Sequence, residues 1–218
     1  MLVVFDLDGT LAKVGEGAEA ETVALLHKIR GTGARIALSS GKPTFYLCAF
    51  ARQLGIQDAV LVGENGSVIQ VGTSLPPTVY HKAEIPVITK EALKTLRGML
   101  EEEFGDRIWY QPNETALTPF PAYQEDFPKI RAILDSFLIP EMEIKVYEHP
   151  DCFDILIGQS SFQDCFMGNR HLGLPDFVGI VLYPASLGIN LCKFFLRNTN
   201  HVAFFIVNNA TGAGGSLI

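Results

Sequence analysis

The chain has 218 residues, enough for one large domain or two small ones, and 48% of them are apolar, ample for a sizeable core. With 24 acidic against 17 basic residues, the formal charge of -7 argues against general attraction to nucleic acid or an anionic membrane. Cys48, Cys152, Cys165 and Cys192 show no Cys-x-x-Cys spacing and read as buried reduced thiols.

The first element is an apolar run rich in β-branched and aromatic residues, Val3-Val4-Phe5, that ends in Asp6-Leu7-Asp8-Gly9-Thr10-Leu11 and reads as a buried strand. A strand starting at residue 2 leaves no room for a signal peptide, so the expected compartment is the cytoplasm. At i, i+2 spacing on an extended backbone, Asp6 and Asp8 point to one face at the strand's carboxyl end, where open α/β sheets bind ligands. Two carboxylates held close resist ionising together, which suits one nucleophile and one acid/base.

A helix is expected over Ala18–Arg30, with Val23, Leu25, Leu26 and Ile29 on its apolar side, then a strand over Arg35–Ser40 and a helix over Thr44–Leu54. Between the last two lies Ser40-Gly41-Lys42, a small hydroxyl donor beside backbone N–H groups at a helix start, which favour anions. Strands are expected at Ala59–Val62 and Val68–Val71, flanking the turn Glu64-Asn65-Gly66. This alternation is that of a parallel sheet covered by helices.

Pro76-Pro77 reads as a hinge into an α+β unit. In it, Thr89–Phe104 is expected as a helix with Thr89 as N-cap and a stripe of Leu93, Leu96, Met99 and Leu100. Strand pieces at Ile108–Tyr110 and Thr115–Thr118 follow, then a helix over Glu125–Leu138 with Pro128 in its first turn, and strands at Met142–Tyr147 and Cys152–Ile157. Phe177–Cys192 carries no charge, but it falls short of the roughly 20 apolar residues of a membrane span and contains Pro184, so it reads as a core strand and loop.

The first run resembles the opening motif of the haloacid dehalogenase superfamily of phosphatases, Asp-x-Asp-Gly-Thr after a hydrophobic strand. Ser40 matches the Ser or Thr of the family's second motif, and Glu64-Asn65-Gly66 resembles the turn of members that carry a large α/β cap of class IIB type. The resemblance implies an α/β fold with a Rossmann-like parallel-sheet core (1–78 and 154–218) and an inserted α+β cap (79–153). It implies Asp6 as nucleophile and Asp8 as acid and then base, with Ser40, Gly41 and Asn65 binding the phosphoryl group. Asp6 and the backbone carbonyl of Asp8 would be ligands of Mg2+.

The family's third and fourth motifs, a lysine and a strand ending in Gly-Asp with a further Asp behind it, are not matched. Ser160 falls about where the lysine belongs, Arg170 is the one fixed cation between Ile157 and Tyr183, and Tyr183-Pro184 stands in place of Gly-Asp. Residues 158–218 hold only Asp164, Arg170, Asp176, Lys193 and Arg197 as fixed charges, which points slightly to an aberrant tail rather than a divergent folded half. Asp154 and Asp176 read as surface or strand-edge carboxylates rather than replacement metal ligands.

The implied function is a Mg2+-dependent phosphatase that hydrolyses a small phosphorylated metabolite, of sugar phosphate or phosphoglycolate type, through an aspartyl-phosphate. No nucleic-acid or membrane partner is expected, and the oligomeric state is open. Two other readings stand beside it: a catalytically silent or C-terminally aberrant member that binds a ligand or partner, and a phosphomutase. Tyr110, Glu114 and His149 are the cap residues that could face a ligand.

Overall fold

The structure is a computed structural model that describes residues 2–158 and, by their backbone, the strands at 178–182, 190–196 and 202–207. In chain order the strands and α-helices are β1 (Leu2–Asp6), α1 (Ala20–Gly31), β2 (Arg35–Ser39), α2 (Thr44–Gln53), β3 (Val60–Gly63), β4 (Val68–Val71), β5 (Val79–Lys82), α3 (Val87–Phe104), β6 (Ile108–Gln111), β7 (Thr118–Pro121), α4 (Phe127–Phe137), β8 (Ile144–Glu148), β9 (Phe153–Ile157), β10 (Val178–Leu182), β11 (Asn190–Leu196) and β12 (Val202–Val207). The chain divides into two compact units, residues 1–38 with 174–218, and residues 39–173.

In the first unit the strand order is β12-β11-β10-β1-β2. β1 pairs in parallel with β10, Val4 opposite Val181, whereas β10-β11 and β11-β12 are antiparallel. Leu2 to Phe5 and Leu7 are all buried, so the apolar run fills a core and Asp6 is the first residue of the strand to approach the surface. Only Leu26 of α1 is buried, and Leu25 stays 51% exposed, so the apolar side expected for that helix is narrower than its sequence suggests. The strand expected within Phe177–Cys192 is present as β10, and Ser160, Arg170 and Tyr183-Pro184 lie outside the described residues.

In the second unit β3, β4 and β5 form an antiparallel meander, with Val60 opposite Val71 and Ile69 opposite His81. Leu47, Cys48, Phe50 and Ala51 of α2 are buried, as are all four residues of β3. The same unit holds two antiparallel pairs, β6-β7 and β8-β9, joined by a bridge between Leu117 and Ile155. α3 and α4 supply Leu96, Leu100, Phe104, Ile130 and Leu134 to a core shared with Ile108, Leu117, Phe153 and Ile155. Burying each such side chain stabilises the fold by about 2 kcal/mol.

Local departures from expectation have local causes. α3 begins at Val87, after Pro86, so Thr89 is inside the helix rather than its cap; its hydroxyl donates to the Met142 carbonyl at 2.8 Å. The buried stripe of α3 runs Ala92, Leu96, Leu100, Phe104, while Met99 is 36% exposed. α4 begins at Phe127, with Pro128 in its first turn where no backbone bond is lost. The strand expected at Thr115–Thr118 forms at Thr118–Pro121 instead, because Glu114 and Thr115 are drawn to the Glu64 carboxylate. Among the described residues no helix is long and apolar enough to cross a membrane.

Candidate active site

Asp6 is the last residue of β1, and Asp8 follows two positions on; both are half-buried. The chain then closes a tight loop. The Leu7 carbonyl accepts from the backbone N–H groups of Thr10 (3.3 Å), Leu11 (3.0 Å) and Ala12 (3.2 Å), and the Gly9 N–H donates to the Ala12 carbonyl at 2.7 Å. Gly9 sits at φ 79, a left-handed conformation that glycine adopts without steric cost. The Thr10 hydroxyl donates to Asp6 Oδ2 at 3.3 Å, so the Gly-Thr pair both turns the chain and orients the first carboxylate. Leu7, 2% exposed, anchors the segment in the core between the two acids.

Ser40, Gly41 and Asn65 belong to the second unit, and there the structure brings them together. The Ser40 N–H donates to the Val62 carbonyl (3.0 Å), the Asn65 N–H to the Ser40 carbonyl (3.2 Å), and the Glu64 N–H to the Lys42 carbonyl (3.0 Å). The Lys42 N–H donates to Ser40 Oγ at 3.2 Å. Gly63 is required where it stands: a Cβ there would lie 2.8 Å from both the Lys42 carbonyl oxygen and the Thr44 nitrogen. Glu64 and Asn65 have φ of 51 and 56, a cost recovered through fixed contacts.

Those contacts are polar ties to the β6–β9 region. Glu64, 1% exposed, accepts at Oε1 from the Glu114 N–H (2.8 Å) and at Oε2 from the Thr115 N–H (2.8 Å) and hydroxyl (2.6 Å). Gln111 Nε2 donates to the Gly41 carbonyl at 3.0 Å. Asn65 Nδ2 donates to Asp154 Oδ2 at 3.0 Å.

Asp154 is the residue that sequence reasoning misplaced. It lies on β9 of a two-stranded pair but is not a surface carboxylate: it is 7% exposed, takes Asn65 and His149 Nε2 (3.3 Å) on Oδ2, and takes the Thr118 hydroxyl on Oδ1 at 2.9 Å. Its signal was a single acid inside the otherwise apolar run Phe153–Ile157. Burial alone pushes the Asp154 carboxyl up, but the bonds from His149, Asn65 and Thr118 and the His149 charge outweigh it and hold the carboxyl below its usual range. The bond to Asp154 likewise raises His149 above the ordinary imidazole value against the opposing effect of burial, and Asp151 adds to the rise.

Tyr110 and Glu114, the other two residues expected to face a ligand, have different settings. The Tyr110 ring packs against the helix-side core under the Arg97 guanidinium, 4.6 Å away, and its hydroxyl has no hydrogen-bond partner among the described residues. Burial, then the Glu101 charge, pushes that phenol up to about 12 despite Arg97. Glu114 pairs with Lys82 at 3.2 Å and accepts from the Tyr80 hydroxyl.

The end of β1 carries the oxygen donors that the family resemblance assigns to magnesium. Asp6 and Asp8 are hard oxygen donors, and magnesium takes one or two carboxylates while keeping several waters, so the residues present fit it. Among the described residues no group of three or more His, Cys, Asp or Glu forms a protein-only metal cage.

Comparison with known proteins bears on this geometry. The profile of the haloacid dehalogenase-like hydrolases matches residues 3–149. No curated protein matches the chain. Among solved structures, a haloacid dehalogenase-like hydrolase from B. subtilis is similar with TM-score 0.62 and 16% identity, over 84% of this chain and 82% of that one. A sugar phosphatase of HAD subclass IIB gives TM-score 0.58 and 18% identity, over 83% of this chain and 79% of that one. The C-terminal domain of C. albicans trehalose-6-phosphate phosphatase gives 0.61 and 16%, over 84% and 69%. At these identities the likeness is one of fold, and the family match covers more than half of the sequence. This chain, with its α/β fold and its aspartate-tipped first strand, belongs to the haloacid dehalogenase-like hydrolases.

Proposed function

We propose that this hydrolase is a phosphatase of small phosphorylated metabolites, of sugar phosphate or phosphoglycolate type, that works through an aspartyl-phosphate on Asp6. The observation that carries the reading is the placement of Asp6 as the last residue of β1, with Asp8 two residues on and Thr10 bonded to Asp6. In this reading Asp6 attacks phosphorus as the bond to the leaving oxygen breaks, and Asp8 gives that oxygen its proton. Asp8 then takes a proton from water, which attacks phosphorus and returns Asp6 to its carboxylate. Ser40, the Gly41 backbone and Asn65 hold phosphoryl oxygens, where fixed donors have most effect. The Asp6 carboxylate and the Asp8 backbone carbonyl would hold Mg2+, whose positive charge would offset that of the phosphoryl oxygens. Residues 79–153 serve as the cap that excludes water and selects the substrate, in a cytoplasmic enzyme.

The test is hydrolysis of p-nitrophenyl phosphate with Mg2+ by the full chain and by Asp6→Asn. Wild-type turnover with a loss of about a thousandfold or more in the variant supports the reading, since nucleophile removal has effects of that order. A second reading, a catalytically silent member, is favoured by Tyr183-Pro184 where the family carries Gly-Asp. Absence of turnover in both proteins supports that one.

A further inference from the structure

The Ser40–Asn65 cluster holds a feature at odds with binding an anion. Asp154 Oδ2 lies 3.3 Å from where a Gly41 Cβ would be, and 3.0 Å from Asn65 Nδ2. A buried carboxylate beside a phosphate-binding loop repels its ligand, and the low dielectric of a buried setting strengthens that repulsion. The same oxygen, however, receives His149 Nε2 at 3.3 Å. We propose that Asp154 is a positioning residue of the phosphate site, acting through Asn65, and that His149 is the counter-ion that stops its carboxylate from repelling the substrate.

The proposal rests on the reading of Ser40, Gly41 and Asn65 as phosphate ligands. Asp154 is well placed for the role: Thr118 fixes its other oxygen, and Thr118 accepts in turn from Asn113 Nδ2 at 2.8 Å. Asn113 Oδ1 accepts from Gln111, whose amide also reaches the Gly41 carbonyl. The network thus meets the Gly41–Asn65 segment at two points. His149 sits in the turn between β8 and β9, its N–H donating to the Cys152 carbonyl at 2.8 Å, and it is about half exposed, so it titrates without unfolding. The charged groups that act on it are Asp154 and Asp151 on its own hairpin; Lys42, from the Ser40 loop, acts on nearby Cys152, and Glu148 is engaged by Arg131 at 3.9 Å. The bond to Asp154 raises the imidazole above its ordinary value, so the cation persists toward neutral pH.

Kinetics of p-nitrophenyl phosphate hydrolysis between about pH 5.5 and 9, bracketing an ordinary imidazole, test this on the full chain. His149→Gln keeps a donor at the Nε2 position and removes the charge. The wild-type KM should rise on the alkaline side by about fivefold or more as His149 loses its proton, since one unit charge a few ångströms away is worth that much even in water. In His149→Gln the KM should be high throughout, that limb should vanish, and kcat should hold. Asp154→Asn, checked for folding by near-UV circular dichroism, should erase the effect of adding His149→Gln. A merely structural role would lower stability without moving the KM limb. An alkaline limb retained in His149→Gln, with the wild type active, overturns this proposal alone. A wild type that neither hydrolyses the ester nor binds inorganic phosphate overturns the phosphatase reading and this proposal together.

Discussion

Asn65 and Asp154, 89 positions apart, meet through a 3.0 Å hydrogen bond from an amide in a left-handed turn to a carboxylate in a buried strand. The bond ties the loop that follows β3 to β9, and it explains why a non-glycine residue holds φ 56: the backbone cost of about 1 kcal/mol is offset by fixed partners.

Glu64 is the stronger of these ties. Glu64→Ala strands the backbone N–H groups of Glu114 and Thr115, both now served by one buried carboxylate, and leaves the Thr115 hydroxyl with Ser67 Oγ alone. A loss of about 3 kcal/mol is expected, since bonds to a charged acceptor are strong and buried donors are costly to orphan. Urea unfolding of the variant against wild type measures it.

Gly63→Ala tests the packing behind the Ser40 loop. The new methyl would sit 2.8 Å from a carbonyl oxygen of Lys42 and a nitrogen of Thr44, both backbone atoms that cannot swing aside. Destabilisation of about 1–3 kcal/mol is expected, with weaker inorganic phosphate binding by calorimetry. The more tolerant neighbour is Gly41, where a Cβ meets side-chain atoms at 3.3 Å.

The stability contributed by the His149–Asp154 pair depends on pH in two directions. Asp154 is lower in the fold than unfolded, so its contribution is present above about pH 4, the unfolded value, and fades as pH falls through the folded value. His149 is higher in the fold, so its contribution is complete below about pH 6.5 and fades as pH rises through the folded value. The pair therefore stabilises most between about pH 4 and 6.5. His149→Gln should flatten the alkaline side of a Tm-against-pH profile; an unchanged profile would show that the pair does not couple to folding.

Cys152 should resist chemistry. It is 7% exposed, and burial, with Asp154 and Asp151 nearby, pushes its thiol up to about 12 despite Lys42. Thiolates are the reactive species, so native protein at about pH 8 should leave Cys152 unalkylated by iodoacetamide while unfolded protein reacts. Peptide mass spectrometry reads both states.

The sequence carried the local features of this fold and little of what joins them. The Asp6–Thr10 segment was legible because a buried strand, an i, i+2 pair of acids and a Gly turn are all short-range patterns. The strand at Val178–Leu182 was legible for the same reason, as an apolar run that stops short of Pro184 in the sequence. Thr89 misled because a Thr before an apolar stripe looks like a cap, whereas its hydroxyl bonds Met142, 53 positions on. The strand near Thr118 shifted because Glu64, from another part of the chain, claims the residues before it. Asp154 was visible only as an acid in an apolar run; His149 is five residues away on the same hairpin, but its other two partners lie 36 and 89 residues away, beyond any local period.

The central claim is that Asp6 takes the phosphoryl group. The full chain, mixed with p-nitrophenyl phosphate and Mg2+, quenched and reduced with borohydride, should yield a peptide in which Asp6 has become homoserine, as an acyl-phosphate would. Turnover with Asp6 unmodified and another residue reduced, or with no residue reduced, would contradict it.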